Sequence, residues 1–454
     1  MTVKMTSTEL RATIALSSIM AMRLLGLFMI LPVFALYAHD LPDVTPFLIG
    51  LAIGIYGLSQ AILQIPFGML SDRFGRKPII TIGLLIFIIG SVVAASSTSI
   101  IGIIIGRALQ GAGAIAAVLL ALLADLTREE HRTKAMATIG SSIAMSFIIA
   151  FALGTVLNHW VGVPGIFWFT ALLAISGLLI LHFIVPNPIN SHFHRDTEPV
   201  PTQFKRILAD TQLLRLNFGI ATLHFLLTAL FIELPIALKA QLPISQHWQV
   251  YLPVMIGAIV MIIPLIIFAE KRHHLKLIFV GAIGLLCLSQ ISFLYMHQNL
   301  THIVFSLFLF FTAFNLLEAS LPSLVSKIVR PESKGTAMGV YSTAQFMGAF
   351  LGGAGGGWLH HYYSMDIVFM VGATLACIWF LLAATMQQPR YLSSHLLNIG
   401  SVNEQEAKEL TQKLSNIIGV IEAVVIAEDG VAYLKVDKQF VDFATLEQFS
   451  VANV

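Results

Sequence analysis

The sequence predicts an all-α membrane protein of twelve transmembrane helices in two pseudo-symmetric six-helix bundles, followed by a small α+β domain. Three observations carry this. Of 454 residues, 57% are hydrophobic and only 11% charged, against about 25% charged in soluble domains. Apolar runs of about 20 residues, the length a bilayer crossing needs, recur twelve times. From Ser393 onward the composition turns polar, with short alternating segments. A net charge of +2 makes no case for a nucleic-acid partner. Cys287 and Cys377 lie in apolar runs and have neither disulfide-framework nor metal-ligand spacing.

The expected spans, in order, are residues 13–38, 47–70, 78–97, 100–124, 134–158, 164–185, 214–238, 248–269, 275–296, 301–326, 336–359 and 364–386. Span 1 is too long for the apolar region of a cleaved signal and flows into further spans. Spans 2 and 3 flank a stretch from Gly68 to Pro78 holding Asp72, Arg73, Arg76 and Lys77, charges that cannot lie in hydrocarbon and so form a tight loop at one face. Only residues 96–99 separate spans 3 and 4. The proline-bearing segment 186–213 divides the spans six and six, giving expected domains 1–188, 189–213 (a loop), 214–388 and 389–454.

Orientation follows from Lys and Arg placement: eighteen fall on the face bearing the Gly68–Pro78 loop and only Lys239 on the other. The basic face is therefore expected to be cytoplasmic, with both termini there and the protein in a bacterial inner membrane. The halves also echo each other. Arg128, Glu130, Arg132, Ala135 and Met136 recur at an offset of 202 as Arg330, Glu332, Lys334, Ala337 and Met338, and Leu31-Pro32 of span 1 is echoed by Leu234-Pro235 of span 7. Parallel six-span repeats favour a midplane cavity between halves that rock.

Four ionisable groups sit within spans: Arg23 and Arg107 in the first half, Glu233 and Glu318 in the second. Each costs about 2.5–3.5 kcal/mol at a helix centre on insertion scales, so each needs a cavity or a partner. Compensation across the cavity between the two pairs is one expectation, and a Glu in a partly dry cavity is a candidate proton carrier. Asn315 shares a helix face with Glu318, and Pro322 and Pro235 are expected to open their helices nearby. Arg23 reads as a snorkelling residue, and His224 as a satisfied core histidine. Gly348, Gly352 and Gly356 put a small-residue stripe on span 11.

These motifs resemble the major facilitator superfamily, in its twelve-span drug–proton antiporter group. The family's loop signature G-x-L-x-D-R-x-G-R-K stands at Gly68, Leu70, Asp72, Arg73, Gly75, Arg76 and Lys77, and its span 4 signature R-x-x-Q-G at Arg107, Gln110 and Gly111. The resemblance implies that Gly68, Asp72, Arg73, Gly75, Arg76 and Lys77 form a latch. In it Asp72 faces the helix start near Gly335 and Thr336, Arg76 pairs with Asp125, and Arg107 takes part in proton coupling. It implies a monomeric rocker-switch carrier, with a small amphipathic or drug-like solute and protons as its partners, the proton gradient as its drive and no cofactor. One departure stands out: Ala144 and Thr155 occupy the places of a glycine and a proline in the family's span 5 signature, so export direction is not fixed. A proton-linked metabolite importer and a membrane sensor signalling through its tail remain open. No phosphate-cradling loop is present for ATP drive, and the protein is not expected to be an enzyme.

The tail reads as strand 396–400, helix 404–414, strand 420–427, an Asp429-Gly430 turn, strand 431–436 and helix 444–449, with residues 451–454 as a possible closing strand. This βαββα order suggests a ferredoxin-like domain and resembles heavy-metal-associated domains. The loop after the first strand, Gly400 to Asn403, carries no thiol, which rejects soft-metal binding and leaves a ligand-sensing or partner-binding module.

Overall fold

The structure is a computed structural model that describes residues 5–187, 204–271, 275–296, 298–329, 334–386, 392–400, 402–427, 430–437 and 440–450. Arg330 and Glu332 of the repeat, the turn residue Asp429 and segment 451–454 lie outside them. The chain divides into two compact units, Met1–Gln387 and Gln388–Val454.

The first unit is helical: α1 (Ser7–Phe28), α2 (Leu31–Ala38), α3 (Pro46–Phe74), α4 (Arg76–Ser96), α5 (Ile100–Ala112), α6 (Ala116–Asp125), α7 (Glu129–Phe183), α8 (Phe204–Ala209), α9 (Thr211–Lys239), α10 (Trp248–Lys271), α11 (Leu275–Met296), α12 (Leu300–Ile328), α13 (Lys334–Tyr362) and α14 (Met365–Ala384). Ten segments among the described residues are long and apolar enough to cross a membrane. One of them, residues 134–183, has twice the length a crossing needs and breaks at Gly162 (φ 67°, ψ 179°), so it reads as spans 5 and 6. The remaining expected crossing is α13, whose glycines and polar residues lower its hydropathy although its 29 residues match α12 in length.

The helices depart from the sequence expectation in instructive ways. Span 1 is two helices, because Pro32 lacks the N–H that would bond the Phe28 carbonyl. Span 4 is likewise α5 and α6, interrupted at residues 113–115. Conversely, α9 runs unbroken through Pro235 and α12 through Pro322. The expected openings there are absent, since packing on neighbouring helices tolerates proline within a span.

The two halves meet along α13. Its Gly348, Gly352 and Gly356 pack on Ala221, Phe225 and Ala229 of α9. A second stripe does what the sequence reading did not foresee. Gly353 and Gly357 lie against Gly50 of α3, so close that a Cβ on Gly353 would stand 2.7 Å from the Gly54 Cα. Only small residues let two backbones approach this far. In the same half of the membrane, away from the basic loops, Phe147 and Phe151 of α7 interleave with the other half: Phe147 with Phe314 (5.6 Å) and Phe311 (6.0 Å), Phe151 with Phe231 (4.8 Å) and Tyr251 (6.0 Å). Glycine contact and ring packing together close the seam at this end.

The second unit holds β1 (Leu392–Asn398), α15 (Glu404–Ser415), β2 (Val420–Ile426), β3 (Val431–Asp437) and α16 (Phe443–Glu447). Its sheet is antiparallel in the order β1-β3-β2. Leu397, Leu414, Ala432, Leu434, Val436 and Leu446 form its core. The helix α15 starts on a capping box, Asn403 accepting from Glu406 N (2.9 Å) while Glu406 accepts from Asn403 N (2.9 Å). Asn403→Ala is expected to cost about 1 kcal/mol, read as faster amide exchange across α15 in the full-length protein.

Candidate functional site

Three polar clusters stand out in the helical unit. The first lies at the basic end. Gly75 (φ 90°, ψ 150°) joins α3 to α4 in one residue, a conformation open to glycine alone at low cost. The turn places Arg76 over the end of α6. Its Nε donates to Asp125 Oδ2 (3.2 Å) and its Nη1 to Ser71 Oγ (2.7 Å) and to Asp72, while Ser71 Oγ donates to the Gly68 carbonyl (2.6 Å). Arg76 and Asp125 are buried, and Asp72 is about 30% exposed. Lys77 Nζ donates to the Val185 carbonyl (2.6 Å) and Arg73 lies over the Phe74 ring (5.3 Å). Asp72 is bonded to Arg76, and a Cβ added at Gly68 would meet nothing within 4 Å. Beside this cluster Arg128 grips Glu9 through Nε (2.9 Å) and Nη2 (3.0 Å). Sequence reading missed Glu9, although Thr6 and Glu9 carry a capping-box spacing that marks the helix start ahead of residue 13.

The second cluster holds the arginines. Arg23 is buried, not snorkelling, and its Nη2 donates to Gln60 Oε1 (2.5 Å). Arg107 donates to the carbonyls of Ala52 (3.3 Å) and Ile53 (3.5 Å) and to Gln110 Oε1 (2.9 Å), whose Nε2 donates to Ser91 Oγ (2.8 Å). The Tyr56 ring lies between the two guanidiniums, 5.1 Å from Arg107 and 6.0 Å from Arg23.

The third cluster joins α9, α12 and α13. His224 Nε2 is 3.1 Å from Glu318 Oε2 and 2.7 Å from Gln345 Nε2, and Gln345 Nε2 donates to Glu318 Oε1 (3.0 Å). His224 is thus a satisfied histidine inside the bundle, as expected, with Glu318 and Gln345 as its partners. Asn315 instead donates to the Phe311 carbonyl one turn back (2.8 Å). Glu233 is fully buried and takes His360 Nδ1 on both oxygens (2.7 and 2.8 Å). That pair adjoins a cavity of about 360 Å³ lined by His39, Asp43, Thr45, Ile232 and His360. Compensation by arginines of the other half was expected; among the described residues each glutamate instead takes a histidine of its own half.

The Glu318 triangle has a chemical consequence. With Nε2 protonated, His224 donates to Glu318; with Nε2 bare, it accepts from Gln345. Either tautomer of His224 therefore has a hydrogen-bond partner in the triangle.

Polytopic helices in two halves, closed against each other at one end and carrying paired charges at membrane depth, define an integral membrane transporter. The chain belongs to the Major Facilitator Superfamily, whose family model matches residues 16–353 and 270–398. It is 46% identical to the inner membrane transport protein YajR of Escherichia coli (strain K12), over 98% of each chain. It is 39% identical to an uncharacterized transporter of Buchnera aphidicola subsp. Acyrthosiphon pisum, over 76% of this chain and 89% of that one. Among solved structures, the nucleoside transporter NupG matches with a TM-score of 0.67 at 15% identity, covering 83% of this chain and 99% of that one. A bacterial homolog of the human lysosomal transporter Spinster, inward-facing and unoccupied, matches with 0.65 at 14%, covering 84% and 98%. The last two establish a shared fold. The named relatives are transport proteins, and the chain is not an enzyme.

Proposed function

We propose that the protein is a proton-coupled secondary transporter that works by rocker-switch alternating access and exports a small amphipathic solute in exchange for protons. The observation that supports this is the Glu318–His224–Gln345 triangle, a carboxylate at membrane depth hydrogen-bonded to a histidine and an amide, whose side chain is about a third exposed. Glu233, Arg23, Arg107, Gln110 and Asn315 are the further polar residues proposed for proton coupling and the central cavity. The loop charges support a cytoplasmic basic end with both termini on that side, and the name of the YajR relative supports the inner membrane. The seam is held at the far end by Gly50, Gly353 and the phenylalanine contacts, and toward the basic end by Gln64, whose Nε2 donates to the Gly339 carbonyl (3.3 Å) and Thr343 Oγ1 (3.2 Å). In the outward-open state the start of α13 docks beside Gly68, where there is now open space, and Asp72 meets its N–H groups. Arg73, Gly75, Arg76, Lys77 and Asp125 hold that latch in position.

The test is solute movement in inverted membrane vesicles under an imposed pH gradient. Accumulation that follows the gradient supports exchange with protons; solute movement indifferent to it removes the coupling. Import is the second reading, favoured by one observation: α7 runs straight through Thr155, whose Oγ1 bonds the Ala152 carbonyl (2.9 Å) where the family pattern has a kinking proline. The sign of the accumulation separates the two. The tail unit is proposed to bind a small ligand or a protein, and removing residues 388–454 is expected to alter regulation while leaving transport in place.

The latch yields a further prediction. A carboxylate at a helix N-terminus is worth about 0.3–1 kcal/mol, so Asp72→Asn should lower the outward-open population roughly two- to fivefold. A cysteine placed at Gly335 then reacts faster with a cytoplasmic thiol reagent. An unchanged rate counts against the latch.

A further inference from the structure

Charge at membrane depth is unevenly matched. Glu233 and Glu318 are held by histidines. Arg23 and Arg107 are each 2% exposed, and their hydrogen bonds go to neutral oxygens of Gln60, Gln110, Ala52 and Ile53. Two cations thus flank the Tyr56 ring, and among the described residues no carboxylate is a partner of either. Arg107 has its donors engaged, but Arg23 does not. Its Nε and the neighbouring Nε2 of Gln60 are buried and donate to nothing. Buried donors are rarely left unmade, and a buried cation without an anion is costlier still.

Both orphan donors belong to side chains already bonded to each other, so they flank one small region. Its surroundings are apolar and aromatic: Phe87 stands 5.9 Å from the Arg23 guanidinium. Leu27, Tyr56 and Phe87 form one cluster, against which Leu24, Phe28 and, from α13 in the other half, Phe346 pack. A group bound here touches both halves of the rocking seam.

We infer that Arg23 and Gln60 form an anion subsite that takes the carboxylate of a monoanionic organic acid with an aromatic or apolar body. The carboxylate supplies the acceptors that Arg23 Nε and Gln60 Nε2 lack, and offsets one of the two buried cations. A single negative charge fits, because the hydrogen bonds of Arg107 are already committed. Cationic amphipaths are disfavoured by the same charge balance. This assignment rests on the transport reading of the seam, of which it names the solute class.

The test is equilibrium binding, read as thermal stabilisation of the purified full-length protein through its tryptophan fluorescence, with benzoate, benzyl alcohol and benzylamine as probes of one body and three head groups. Benzoate is expected to raise the unfolding temperature, and the other two to leave it unchanged. Arg23→Gln should abolish the benzoate shift. Gln60→Leu, which keeps the arginine, should weaken apparent affinity about tenfold and carries the test if the arginine variant does not fold. Equal shifts from all three probes, a benzoate shift that survives Arg23→Gln, an unchanged apparent benzoate affinity in Gln60→Leu, or no shift at the highest soluble benzoate concentration each overturns the subsite. Intact benzoate binding in a protein whose transport ignores the pH gradient leaves the subsite standing and refutes proton coupling alone.

Discussion

Glu318→Gln is expected to abolish solute movement driven by a pH gradient while leaving solute exchange in place. The amide has the volume of the carboxyl and keeps hydrogen bonds to His224 and Gln345, so α9, α12 and α13 stay together. What it cannot do is give up a proton. If the triangle is where proton and solute states are linked, removing it removes their coupling free energy. Such coupling is typically about 1–3 kcal/mol, a 5- to 150-fold effect. Gradient-driven accumulation should fall by that factor, with exchange of labelled for unlabelled solute near the parent rate. Glu233→Gln is the comparison. It loses the charge of a fully buried carboxylate held on both oxygens by His360, so its main cost should fall on stability and on the closed far end. Retained pH drive in Glu318→Gln, with loss in Glu233→Gln, would move the proton site to the far end.

The contrast between these two glutamates shows what a sequence makes legible. Both stand out at once as charges in apolar runs, because the cost of desolvation is a property of the residue type. Their partners do not. His360 lies 127 positions from Glu233 and Gln345 lies 27 from Glu318. Spacing says which residues share a face of one helix, but not which neighbouring helix that face meets. Asn315 makes the point in reverse: it has the right periodicity beside Glu318, yet bonds its own helix. Gln60 and Tyr56 escaped notice for the same reason, since a single polar residue in an apolar span carries no pattern. The Gly68–Lys77 loop was legible because five polar demands fall in ten residues between two spans. Helix interruptions were not legible: the break before Pro32 was unforeseen and the openings expected at Pro235 and Pro322 are absent, because neighbouring helices decide whether a proline opens the chain. The β-strands of the tail followed alternation and turn chemistry, both local properties, and their limits shifted by a few residues at most.

Arg76→Ala is expected to be among the most destabilising single substitutions in the helical unit. Asp125 is fully buried at the C-terminal end of α6, where the helix carbonyls already disfavour negative charge. Arg76, itself 2% exposed in its side chain, supplies the countercharge at 3.2 Å. Taking one partner from a buried pair leaves the other uncompensated, at about 3–5 kcal/mol. Asp72 gives the contrasting case. It is about 30% exposed and pairs with Arg76 across the Gly75 turn, and solvent-exposed ion pairs are worth about 0–1 kcal/mol, so Asp72→Asn should change the unfolding temperature little while shifting the conformational balance. The two acidic groups around one arginine then separate by experiment into a brace and a switch. Adding Asp125→Asn to Arg76→Ala removes the orphaned charge and should restore most of the lost stability, although neither wild-type group remains. The measurement is thermal unfolding in detergent of the two single variants and the double. Additive losses would mean that Arg76 acts through other contacts. Recovery in the double variant would mean that the buried carboxylate sets the cost, and that Arg76 must stay on Asp125 throughout the cycle while Asp72 is free to change its partner.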